Sequence, residues 1–256
     1  MADKQQLFAR FKKDPQLFAL HIGDLDDFYF ERCRWLTLGG EDGPVREVIL
    51  IYRGPGHPTV LALGKTDDFP AFLDNSLTSL PDKFYCHYQD PNGDIIRKLF
   101  DEQPFGEYFK MGLTPEAYRP PLSDDRGIKR LHADHADDLT ALYRKAYPGN
   151  YFDRRMLDTG KYLGCFKDDE LVGAAGVHVD SDEYNIAVLG NITTHPDHRR
   201  HGIATRLTGA LVGELVEEKK TVSLNVHSEN DPAIRAYRRL GFKIIHRYRE
   251  GLFTRR

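Results

Sequence analysis

A chain of 256 residues has room for one large domain or two small ones, each able to bury a core. Its 36 basic and 39 acidic residues leave a net charge of −3 with no basic tract, which speaks against a nucleic-acid partner. No apolar run suits a signal peptide or membrane span, and three dispersed cysteines (Cys33, Cys86, Cys165) lack metal-ligand spacing, so the expectation is a reduced, cytoplasmic protein with buried thiols and no membrane partner.

In the N-terminal half, residues 47–52 and 59–63 read as strands joined by the Gly- and Pro-rich segment 53–58. A helix over 69–80, a strand over 83–89, a helix over 94–102 and a strand over 106–111 follow. Between 114 and 127 three prolines and few core residues mark a linker, which divides the chain into domains at 1–120 and 127–256.

Beyond the linker the pattern is mixed α/β. It gives a short strand at 128–131, a helix over 133–146, and a further helical stretch spread over 151–159. A hairpin pairs 162–166 with 171–179 around the turn 167–170, and a strand spans 185–194. The helix over 203–218 has Leu207, Leu211, Leu215 and Val216 at helical spacing. A strand at 221–226, a helix at 232–240 with Pro232 in its first turn, and a strand at 242–250 complete the chain.

The stretch from His195 to Ala204 joins a strand to the helix opening at Ile203. Gly202 frees the backbone to turn tightly and clears a side chain from an anion's path, while Ala204 keeps the first turn small. The N–H groups of His201, Gly202, Ile203, Ala204 and Thr205, at the positive end of the helix dipole, suit a pyrophosphate. Arg199 and Arg200 add positive charge that suits a further phosphate.

These residues resemble a known family. Arg199-x-x-Gly202-x-Ala204 is similar to the acetyl-CoA motif of the GNAT superfamily of N-acetyltransferases, written Q/R-x-x-G-x-G/A. Asn230 to Tyr237 with Leu240-Gly241-Phe242 resembles the superfamily's Asn-x-x-Ala-x-x-x-Tyr…Gly-Phe ending, and Gly190 to Pro196 resembles the glycine-N-acyltransferase-like and FR47-like subgroup. The resemblance covers roughly 127–256. It implies an α/β fold of tandem GNAT-like domains, with mixed central sheets flanked by helices. The first domain would be degenerate: in place of the anion motif it has Leu63 to Asp68, where two aspartates repel a phosphate. An unrelated α/β cap is the alternative.

The family's strand before the loop splays from its neighbour, pairs with pantetheine and polarises the thioester carbonyl. Carried over, this makes the backbones of Ile192 and Thr194 contacts, with Gly190 permitting a bulge or accommodating a neighbouring side chain. Tyr237 takes the family's place of general acid to the sulfur, against a packing role on Leu240 and Phe242. Asn230 bonds the CoA arm or caps its helix. The family's glutamate base falls at Val188. His178, Asp180, Asp182, Glu183 and His195 are the nearby candidates, and none is singled out. Tyr147 to Phe152 lies where the family varies to suit acceptors. Histidines 195, 198 and 201 recur every third residue in extended chain, which does not align them, so no metal is expected.

The resemblance implies an enzyme moving an acetyl group from acetyl-CoA, or another acyl-CoA, to a primary amine of a small molecule or amino acid within a ternary complex. A non-catalytic acyl-CoA sensor and a protein-lysine acetyltransferase stay open, as do monomer and homodimer.

Overall fold

A computed structural model describes residues 3–40, 43–54, 56–121, 127–218 and 220–256. The chain divides into two compact units, Met1–Lys110 with Val226–Glu229 and Ile244–Arg256, and Met111–Asn225 with Asn230–Lys243.

Unit 1 begins with three short helices, α1 (Lys4–Phe11), α2 (Ala19–Gly23) and α3 (Asp27–Phe30). The sequence reading above does not foresee them. A capping box opens α1: the Asp3 carboxylate accepts the Gln6 N–H at 2.8 Å, and the Gln6 side chain accepts the Asp3 N–H at 3.3 Å. Strands β1 (Cys33–Gly39), β2 (Val45–Tyr52) and β3 (Thr59–Ala62) then pair antiparallel in order. Helix α4 (Phe69–Ser76) crosses to β4 (Lys83–Tyr88), which runs parallel to β3.

Helix α5 (Asn92–Ile96) is shorter than the 94–102 expected, and β5 (Phe100–Leu113) starts earlier. The cause is Phe100, fully buried and packed edge-on against Phe84 at 5.1 Å in the unit's core, which draws the chain into the sheet from there.

Unit 2 comprises β6 (Ile128–Arg130), α6 (Ala136–Ala146), β7 (Leu163–Lys167), β8 (Glu170–Ser181), β9 (Ile186–Thr194), α7 (Ile203–Glu217), β10 (Thr221–His227) up to Asn225, and α8 (Asp231–Arg239). The helical stretch expected over 151–159 is a 3-10 helix, Arg154–Thr159. Asp168 and Asp169 turn the β7–β8 hairpin with φ of 49° and 64°, as a type I′ turn needs. Leu207, Leu211 and Leu215 of α7 are fully buried. The sheet order here is β10-β9-β8-β7-β6.

The last strand, β11 (Lys243–Arg255), falls in unit 1 from Ile244 onward and pairs antiparallel with β4. The order in unit 1 is β1-β2-β3-β4-β11-β5. Both units are mixed sheets with helices packed against them.

The described part of the Pro-rich stretch packs within unit 2. Pro115–Ala117 forms a 3-10 turn, and the Tyr118 hydroxyl donates to the Gly209 carbonyl of α7 at 2.9 Å. Residues 122–126 of the expected linker lie outside the described residues. Among the described residues no helix is long and apolar enough to cross a membrane.

Candidate active site

The parallel ladder between β9 and β10 pairs Ile186 with Thr221 and ends at Leu189 with Leu224. Strand β9 nevertheless runs on to Thr194 and β10 to His227. The two strands part company after Leu189, so the following backbone groups of β9 have no ladder on that side. A bulge sits at the parting point. Asn191 and Ile192 together oppose Ala175 of β8, and Asn191 has a left-handed φ of 55°. Asparagine tolerates that region better than other side chains.

The bulge is held from three directions. The Tyr143 hydroxyl of α6 donates to the Asn191 carbonyl at 3.0 Å, the Asn191 amide donates to the Tyr162 hydroxyl at 2.8 Å, and the Asn150 amide donates to the Asn191 side-chain oxygen at 3.3 Å. Sequence reasoning missed Asn191 as the pivot. Its one signal is an asparagine inside a strand of β-formers.

Gly190 has the other role considered for it. Its φ is not left-handed; a Cβ there would lie 2.1 Å from the His178 ring. His178 is itself the extra residue of a bulge in β8, between Val177 and Val179. Its Nδ1 is buried without a hydrogen-bond partner, and burial pushes its pKa down to about 4, so the ring is neutral at neutral pH.

After β9 the chain makes a 3-10 turn, Pro196–His198. The Arg199 guanidinium then bonds the carbonyls of Thr194 (3.3 Å) and Ala146 (3.1 Å), tying the loop to the end of α6. Arg200 and Gly202 have φ of 67° and 74°, and His201 Nδ1 lies 3.3 Å from the His198 carbonyl. A Cβ at Gly202 would meet nothing within 4 Å, so its backbone angle is what calls for glycine. Among the described residues no side chain caps α7. The first N–H to return to a carbonyl is that of Arg206, to Gly202 at 3.0 Å. Among the described residues the N–H groups of Ile203, Ala204 and Thr205 are therefore without acceptors, and the Thr194 hydroxyl is buried without a partner.

Asn230 caps α8, its side-chain oxygen accepting the Ala233 N–H at 3.3 Å. Tyr237 on that helix is buried, edge-on to Phe242 at 6.0 Å. Its hydroxyl has no hydrogen-bond partner among the described residues. Burial, then the neighbouring Tyr147 phenol, push its pKa up, so it keeps its proton through the neutral range. Val188 is fully buried in the β9 ladders, opposite Val179 and Ser223. Of the base candidates, Asp180 and Asp182 are engaged by Lys220 at 2.6 and 2.7 Å. His195 Nδ1 accepts the Asp197 N–H at 3.3 Å, and Glu183 is exposed.

Beside the bulge, α6 and the segment after it enclose a cavity of about 400 Å³ whose lining includes Tyr143, Arg144, Tyr147, Asn150 and Phe152. Among the described residues no group of three or more His, Cys, Asp or Glu side chains is placed to hold a metal ion.

Unit 1 has the same parallel crossover, β3 to α4 to β4, with a different outcome. Its ladder runs to Ala62, the last residue of β3, and the Gln89 side chain donates to the Gly64 carbonyl at 2.7 Å just beyond. The loop N–H groups of Lys65 and Thr66 donate to the buried Glu47 carboxylate at 3.0 and 2.6 Å, and Arg10 pairs with its other oxygen at 2.9 Å. The anion of this loop is the chain's own.

Strands that splay ahead of an uncapped helix are what the resemblance to the GNAT superfamily implies, and comparison with known proteins bears on the fold. Residues 128–242 match the model of the acetyltransferase (GNAT) family. An uncharacterized protein of Mycobacterium leprae is 32% identical over 104 residues, a match covering 39% of this chain and 28% of that protein. In fold, the chain is similar to a Drosophila protein (TM-score 0.73, 16% identity, covering 98% of this chain and 95% of that one). A GNAT-family protein from Novosphingobium aromaticivorans gives a TM-score of 0.65 at 18% identity, covering 95% and 100%. A tandem GNAT protein from the clavulanic acid biosynthesis pathway gives 0.55 at 12%, covering 91% and 86%. The fold is the mixed α/β fold of GNAT acetyltransferases.

Proposed function

We propose that unit 2 is an acyl-CoA-dependent N-acetyltransferase acting on a primary amine of a small molecule or amino acid. The observation that carries this reading is the splay after Leu189 and Leu224, which ends at the open N-terminus of α7. The N–H groups from His201 to Thr205 would hold the pyrophosphate, with Arg200 free to reach a further phosphate. The backbones of Ile192 and Thr194, and the unpaired Thr194 hydroxyl, would face the pantetheine. Arg199 shapes the loop through its two carbonyl contacts, and Asn230 fixes the start of α8.

Acetyl-CoA supplies a thioester whose carbonyl carbon accepts the lone pair of a neutral amine as the carbon–sulfur bond breaks, the nitrogen's surplus proton passing to solvent. An Ile192 N–H held in the bulge polarises a carbonyl set against it. The buried Tyr237 phenol keeps a proton to give to the departing sulfur. His178, neutral and unprotonated, leaves the amine's approach free of a like charge. The acceptor enters by the cavity beside Tyr143 and Tyr147, next to the bulge.

The filled anion loop and closed ladder of unit 1 support a degenerate GNAT-like unit that takes no acyl-CoA, and the likeness to a tandem GNAT protein fits that organisation. The test is release of free CoA thiol from acetyl-CoA across amino acids, polyamines and aminoglycosides, with calorimetric CoA binding in parallel. Turnover with one acceptor class is the expected result. Val188 at the family's glutamate position favours a second reading, an acyl-CoA sensor, for which binding without thiol release is the mark.

A further inference from the structure

The cavity beside the bulge has a composition that goes beyond a generic amine site. Its floor is Tyr143, whose hydroxyl is committed to the Asn191 carbonyl. Its walls are Phe152, packed at 5.3 Å from Tyr143, and Tyr147, a residue 46% exposed. An aromatic side chain that exposed at the mouth of a cavity offers apolar surface to a ligand. The Tyr147 phenol also lies near enough to Tyr237 to help push its pKa up, so this wall stands next to the proposed proton donor.

The polar groups at the rim are of one sign. Arg154 is paired with Asp137, whereas the exposed Arg144 pairs with no carboxylate among the described residues. Asn150 adds a carboxamide already turned toward the bulge. A guanidinium presents a planar fork that matches a carboxylate, and a pocket of a few hundred Å³ with aromatic walls suits a flat apolar body. A polyamine would set its extra positive charges against Arg144 and Arg154.

We infer that the acceptor is an amine carrying both a carboxylate and an aromatic or bulky apolar group, the carboxylate meeting Arg144 and the apolar group lying between Tyr147 and Phe152. This rests on the acetyltransferase reading and narrows its substrate. Both the ring and the carboxylate are needed: the cavity exceeds what glycine would fill, and the Arg144 guanidinium, with no carboxylate partner among the described residues, discriminates against an acceptor whose acid is masked.

The test measures acetyl-CoA-dependent thiol release with L-phenylalanine, L-phenylalaninamide, glycine and spermidine, with calorimetric acetyl-CoA binding alongside. The expected result is a kcat/KM for phenylalanine about tenfold or more above those of the amide and of glycine, the scale of one charge-paired contact. In Arg144→Ala the ratio of acid to amide falls toward one while acetyl-CoA affinity stays put, and Arg144→Lys restores part of the ratio. Equal rates for acid and amide, or preference for spermidine or glycine, overturn this inference and leave the acetyltransferase reading standing. Acetyl-CoA binding with no turnover of any amine overturns both.

Discussion

The hydroxyl of Tyr143 donates to the backbone carbonyl of Asn191 at 3.0 Å, joining helix α6 to the left-handed residue at which β9 leaves its parallel neighbour. A carbonyl committed to a phenol is not free to turn toward β10, so this one bond helps to hold the splay open.

Removing that hydroxyl should therefore affect chemistry more than folding. For Tyr143→Phe we expect a stability loss of about 1 kcal/mol, the net worth of one buried hydrogen bond, and a fall of about tenfold in kcat/KM. Urea denaturation and steady-state thiol release measure the two. A stability loss with unchanged kinetics would make the contact purely structural.

Tyr237→Phe separates proton donation from packing. The ring remains against Phe242 while the proton is lost, so kcat should fall about a hundredfold, the low end for general acid catalysis, with the Kd for CoA within about twofold. Loss of affinity in the same proportion as kcat would identify a packing residue.

The close approach of His178 to Gly190 predicts an epistatic pair. In Gly190→Ala the new Cβ would lie 2.1 Å from the ring, and overpacking of this kind costs about 1–3 kcal/mol. Adding His178→Ala should recover most of that loss, because the clashing atoms are gone. Equal destabilisation in the single and double variants would mean that the strand, not the ring, rejects the side chain.

A pH prediction comes from unit 1. Burial, partly offset by the Tyr248 hydroxyl donating at 2.7 Å and by Lys110, raises the Glu250 pKa from its ordinary 4.5 to about 7, with His87 Nε2 at 3.3 Å. Between those values the folded chain holds a proton that the unfolded chain releases, so this group's contribution falls as pH rises from 4.5 to 7. Lys110, pushed down from 10.5 to about 8 by burial, acts oppositely: stability rises as pH increases from 8 to 10.5. These two contributions together are smallest near pH 7–8, and that of Glu250 amounts to at most about 3 kcal/mol. His178, held neutral by burial, contributes in the opposite sense between pH 4 and 6.5, so the check is a comparison: the stability of the chain relative to Glu250→Gln should fall between pH 5 and 7.5, and an unchanged difference would contradict the assignment.

The anion loop was legible because its physics is local: Gly202 at a left-handed angle and an uncapped helix are written in consecutive residues. The β7–β8 hairpin and the alternation of unit 2 were legible for the same reason. The assignment of β11 to unit 1 was not, since pairing of Arg249 with Tyr88 joins positions far apart in the chain. Nor was the filling of the unit 1 loop. Glu47 reads as the first residue of a strand, and only the fold brings its carboxylate to Lys65 and Thr66. The sequence points to Gly190 rather than Asn191 because glycine is the usual marker of a bulge, whereas here a ring from the neighbouring strand requires the glycine.

Calorimetric titration of the chain with acetyl-CoA tests the central claim most directly. One site per chain is expected, set by the splay and loop of unit 2. Affinity should be lost in Gly202→Val, whose Cβ meets no neighbour but whose branched side chain resists a φ of 74°. Two sites per chain, or full affinity in Gly202→Val with its fold intact, would contradict the account.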